Sequence, residues 1–141
     1  MKTRKLISVI TIFFIILSFP GSAFALSEDT QENPPDVPRY QYVERINVSL
    51  SISQGTANMG IKVEDTNGDT TKLACTMYLQ KHSGGAWSSI KSWSKSTNSN
   101  TLVMSHTKAV SKGTYRVKAV VKAYKGKNHE TITKYSKSTT Y

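Results

Sequence analysis

The sequence predicts an all-β protein: a seven-stranded β-sandwich that follows a secretory leader. Three observations carry this expectation. From Ile46 onward, apolar residues recur with a period of two, the pattern of strands with one face on a core and one in water. Clusters of Gly, Asn, Asp and Ser interrupt these runs at a spacing of about 8 to 12 residues. Helical periodicity is absent, and all four prolines precede residue 39, so the rest of the chain is free of the residue that breaks sheet ladders. Short strands without helices between them argue for two packed antiparallel sheets rather than a βαβ fold.

Two elements precede the strands. Lys2, Arg4 and Lys5 form a charged start, Leu6 to Phe19 an apolar run, and Ala23-Phe24-Ala25 a small-residue exit. These are the three regions of a signal peptide, so residues 1–25 are expected to be removed by cleavage between Ala25 and Leu26. The apolar run stops at Pro20-Gly21, short of the roughly 20 residues that span a bilayer, and no transmembrane segment is expected after cleavage. Residues 26–45 are polar and acidic, and Asn33-Pro34-Pro35-Asp36-Val37-Pro38 is biased towards extended geometry. This stretch is expected to be a flexible arm before a domain at residues 46–141.

The strands follow in order. Ile46, Val48, Leu50 and Ile52 alternate with Asn47, Ser49, Ser51 and Ser53. Ala57, Met59, Ile61 and Val63 form the inward side of a second strand, which Asp65-Thr66-Asn67-Gly68-Asp69 ends with residues that tolerate turns. A third carries Leu73, Cys75, Met77 and Leu79 inward and ends at Ser83-Gly84-Gly85. In the fourth, Trp87 and Trp93 share a parity that Ile90 lacks, which predicts a bulge near Ser88-Ser89. Leu102, Met104 and His106 line the fifth. The sixth is the clearest: Tyr115, Val117, Ala119, Val121 and Ala123 face one way, while Arg116, Lys118, Val120, Lys122 and Tyr124 face the other. After Lys125-Gly126-Lys127-Asn128 a last strand runs from about Glu130 to Tyr141, in a register the pattern leaves ambiguous.

Ser111-Lys112-Gly113-Thr114-Tyr115-Arg116-Val117 resembles the corner before the sixth strand of immunoglobulin-like and fibronectin type III-like sandwiches. The resemblance implies that Tyr115 is the corner tyrosine and that Val117 stands where antibody domains place a cysteine. On a finer scale, Leu79-Gln80-Lys81, the stretch Trp87 to Lys95, Gly113 to Val117 and Thr131 to Ser136 resemble an uncharacterised family of small secreted proteins from Gram-positive, clostridia-type bacteria. That likeness implies a fold and an extracellular address, and no activity.

Charge is segregated along the chain. Residues 26–44 hold five carboxylates against Arg39, whereas residues 45–141 hold fifteen Lys or Arg against four carboxylates, a balance of +11. Such a field favours anionic partners: wall polymers, acidic glycans, anionic lipid or nucleic acid. It also serves solubility and the protection of sheet edges. Cys75 is the single cysteine, so no internal disulfide is possible, and its place in an apolar alternation makes it a small core residue.

Catalytic and metal chemistry find little support. Asp65-x-Asn67-x-Asp69 copies the start of a calcium loop, but Thr70 and Thr76 stand where Gly and Glu are required. His82, His106 and His129 lack metal-ligand spacing, and the carboxylates Glu64, Asp65 and Asp69 gather at one turn with Glu130 alone. No nucleophile elbow, phosphate loop, dinucleotide fingerprint or dedicated nucleic-acid motif occurs. No enzyme, cofactor or metal is therefore expected. The candidate site is the outward face of the sixth strand, Arg116, Lys118, Lys122 and Tyr124, with Tyr78 from the third, since cations beside rings hold a polyanion while a ring stacks on a sugar or base. The expected function is a secreted, non-catalytic module that binds an anionic wall polymer or glycan. The alternative is a released cationic effector or bacteriocin-like protein. A lipobox, a sorting signal and a C-terminal anchor are all lacking, so retention at a wall would be noncovalent.

Overall fold

The computed structural model describes residues 40–141; the expected signal peptide and most of the expected acidic arm lie outside the described residues. Eight strands follow one another: β1 (Arg45–Ser53), β2 (Thr56–Glu64), β3 (Lys72–Ser83), β4 (Ala86–Thr97), β5 (Thr101–Ala109), β6 (Thr114–Lys125), β7 (Asn128–Tyr135) and the two-residue β8 (Thr139–Thr140). They form two antiparallel sheets, β1-β2-β5 and β4-β3-β6-β7, with β8 beside the start of β6. The seven-stranded sandwich expected from the alternation is the architecture observed. Its fourth strand lies beside the third, where a constant-type immunoglobulin domain would place it with the first, second and fifth.

Each inward row of the alternation meets its counterpart in the core. Ile61 and Val63 of β2, Leu73, Met77 and Leu79 of β3, Leu102 of β5, and Val117 and Val121 of β6 are all at most 2% exposed. Tight turns make this pairing possible. Gly84 and Gly85, with φ of 59° and 79°, close the β3–β4 hairpin in the doubly left-handed turn whose twist matches that of its strands. The β1–β2 hairpin uses the same device, but there Gln54 itself takes φ 48° before Gly55.

The corner tyrosine forms as the resemblance implies. Tyr115 is 1% exposed, and its hydroxyl donates to the Ser111 carbonyl at 2.8 Å. Cys75 is buried and unpaired, and desolvation pushes its thiol up to about 11.

Three details refine the expectation. The bulge expected near Ser88-Ser89 in β4 sits at the adjoining Ile90: Leu79 pairs with Lys91 and Gln80 with Ser89, leaving Ile90 unmatched and 42% exposed. The extra residue reverses the parity, so the two tryptophans do not share a face. Trp93 packs against the core and stacks on His106 at 4.9 Å, while Trp87 pairs with His82 on the outer side. The last strand is broken in two. At Ser136 the side-chain oxygen accepts the Val117 N–H at 2.9 Å and donates to the Lys137 carbonyl at 2.8 Å, diverting the ladder before β8 resumes it. Lastly, the arm expected to run to residue 45 is docked from Tyr40 onward. Val43 is buried, Tyr40 and Tyr42 pack on the core, and the Gln41 and Tyr42 N–H groups donate to the Glu130 carboxylate at 2.9 and 2.7 Å.

A candidate anion-binding face on the second sheet

Strand pairing brings all five expected site residues to one surface. Arg116, Lys118, Lys122 and Tyr124 alternate along β6 away from the core, and the register sets Tyr78 of β3 directly beside Lys118. The Lys118 ammonium lies 5.8 Å from the Tyr78 ring centre. Four residues absent from the expected set join them: Gln80 and Lys72 of β3, Trp87 of β4 and Tyr135 of β7.

Arg116 is the most closely held cation of the face. Its guanidinium lies 4.3 Å from the ring centres of both Trp87 and Tyr135, so the planar group is clasped between two aromatics from opposite strands. Its Nε donates to the Gln80 side-chain oxygen at 2.9 Å, and the Gln80 amide donates to the Ser89 hydroxyl at 3.2 Å. Gln80 is only 7% exposed, and a buried amide needs such partners to avoid a desolvation penalty. At the other end of β6, Lys72 pairs in register with Tyr124 and places its ammonium 5.7 Å from that ring. Tyr124 in turn lies 5.4 Å from His129.

Glu64, Asp65, Asp69 and Glu130 are engaged elsewhere. Among the described residues the ion pairs are Arg45 and Lys62 with Glu64, at 3.9 and 2.6 Å, and Lys125 with Asp69 at 2.7 Å; none involves Arg116, Lys118, Lys122 or Lys72. The Lys62 hydrogen bond holds the Glu64 carboxyl below its usual range, and Asp69 raises Lys125 in the same way. Asp65 serves its own turn. Burial alone would raise its carboxyl, but bonds from the Thr70 N–H and hydroxyl, with backbone N–H groups of Asp69 and Gly68, bring it below the ordinary value. Among the described residues no three His, Cys, Asp or Glu side chains gather as a metal site would require, and no helix is long and apolar enough to cross a membrane.

The residues missed by sequence reasoning have identifiable signals. Tyr135 shares a parity with Thr131 and Thr133, and the three lie opposite Lys118, Lys122 and Val120 respectively, once the ladder of β7 is known. Lys72 lies two residues before Ala74 on the outward side of β3. Trp87 could be placed only by locating the bulge. Comparison with known proteins returns no match: no family model, curated protein or solved structure is similar to the chain.

Proposed function

We propose that the protein is a secreted, non-catalytic module that associates with anionic cell-surface or wall polymers through the outward face of its second sheet. The observation carrying this reading is the set of four cations on one face, three of them held against aromatic rings and none in an ion pair among the described residues. A side chain already held in place loses less freedom on meeting a ligand, so these cations are prepared for an anion. The surrounding field steers polyanions to the face, and the rings offer planes on which sugars stack. The leader sequence and the resemblance to small secreted proteins of Gram-positive bacteria support an extracellular address, with noncovalent retention at the wall.

The test compares two triple charge reversals of equal net effect. Lys72, Lys118 and Lys122 to Glu should abolish binding to purified cell walls or heparin, whereas Lys62, Lys112 and Lys127 to Glu should weaken it much less. Equal losses would mean that net charge acts without a site. Wild-type binding should fall steeply between physiological salt and 1 M, as the screening length shrinks from about 8 to about 3 Å. Binding that persists in 1 M salt would replace the electrostatic reading with one based on sugar stacking.

A further inference from the structure

Between the two cation–aromatic groups the outward face dips into a shallow depression of about 330 Å³. Its floor is Ala74 and Val120, and its rim includes Lys72, Lys122, Thr76 and Ser94. The dip exists because Ala74 is the shortest side chain on this face, flanked in register by Ser96 of β4 and Lys122 of β6. The Thr76 and Ser94 hydroxyls lie 3.0 Å apart. A hydroxyl pair closes such a bond with one proton and leaves the other to donate outward. Donors therefore reach the depression from three strands: an ammonium from β3, an ammonium from β6, and an O–H from the Thr76–Ser94 pair joining β3 to β4.

We propose that this depression seats one tetrahedral oxyanion ester, a phosphate or a sulfate, carried by the polymer. The inference rests on the reading of the face as an anion-binding surface and adds the chemical class of the anion. Three oxygens of a tetrahedral ester can each meet a donor from a different direction, while a carboxylate presents two oxygens in one plane and leaves one donor direction unanswered. The ammonium groups act as point charges that adapt to the ester, and the hydroxyl fixes its depth.

The decisive variant is Ala74→Leu, which fills the depression without changing charge, at a half-buried outward position. Binding would be measured by calorimetry at low salt for three hexameric probes: a heparin fragment bearing sulfate esters, an oligo(glycerol phosphate) and an oligogalacturonate bearing carboxylates only. The wild type should bind an ester probe, and comparison of the first two identifies the ester. Ala74→Leu should weaken that probe about tenfold and change galacturonate binding less than about twofold. Should Ala74→Leu melt early, the pair Ser94→Ala and Thr76→Val, which removes the outward O–H, should show the same selectivity. Equal effects on ester and carboxylate probes, or no effect on either while the wild type binds, would overturn the ester seat and leave the anion-binding face standing. Failure of the wild type to bind any of the three would remove both.

Discussion

Arg116→Ala should destabilise the fold as well as weaken binding, and the size of the effect follows from what the guanidinium touches. Two rings lie 4.3 Å away, each contact worth about 0.5–1 kcal/mol at a partly exposed position. The Nε bond to Gln80 is charge-assisted, a class worth about 1.5–3 kcal/mol, and its loss leaves the oxygen of a nearly buried amide without this partner. Contacts that share one group do not add strictly, so about 3 kcal/mol is the expected total. For a domain of roughly 100 residues, each kcal/mol shifts the melting temperature by about 4–8 °C, so Arg116→Ala should melt roughly 12–24 °C below wild type. Arg116→Lys keeps the charge but not the planar fork, and should fall between the two. Circular dichroism melts would measure this, with Trp fluorescence reporting Trp87. A variant that melts with the wild type would show that the clasp contributes nothing to the fold. Binding by Arg116 variants has to be compared at a temperature where each is folded.

Further predictions follow from the core and the turns. Val117→Asp should abolish folding, because an unpaired buried charge costs several kcal/mol, comparable to the whole stability of a small domain; a surviving cooperative melt would mean that Val117 does not face the core. Tyr115→Phe removes only the hydroxyl bond to Ser111 and should cost about 1 kcal/mol by urea titration. The Asp65 carboxyl titrates below its ordinary 3.8 in the fold, so its contribution is complete above that value and is lost as pH falls through the lowered one. Asp65→Asn should therefore flatten the acid limb of the stability curve, and an unchanged limb would assign that limb to other groups. Cys75, with its thiol raised to about 11, should react with thiol reagents at pH 8 only as fast as the protein opens, and rapid stoichiometric labelling under native conditions would place it at the surface.

How much of this was legible in the sequence depended on whether backbone regularity held. On β2 and β6 the period of two is unbroken, and on β3 it holds as far as Leu79, so both the core row and the outward row of Arg116, Lys118 and Lys122 could be read directly. Trp87 was not read as part of the site because its face depends on where the bulge lies, and one unmatched residue at Ile90 turns every side chain beyond it to the other face. The register of the last strand was hidden for a related reason: Ser136 takes a ladder position with its side chain, an exchange that residue type alone does not announce. The docking of Tyr40 to Val43 depends on Glu130, nearly ninety residues away, and long-range partnerships leave no periodic trace.

The same geometry separates the roles of cations that look equivalent in sequence. Arg116 is bound by a buried amide and two rings, so a substitution there acts on the fold and on the ligand together. Lys122 is exposed, stands on the rim of the depression and makes no ion pair among the described residues. Lys122→Gln should leave the melt within measurement error, since exposed substitutions away from specific contacts change stability by less than about 0.5 kcal/mol. Its effect should fall on affinity, and chiefly on dissociation, because a cation beside the seat of the anion acts mainly after encounter. If Lys122→Gln slowed association and left dissociation unchanged, Lys122 would contribute to the long-range field and not to the seat.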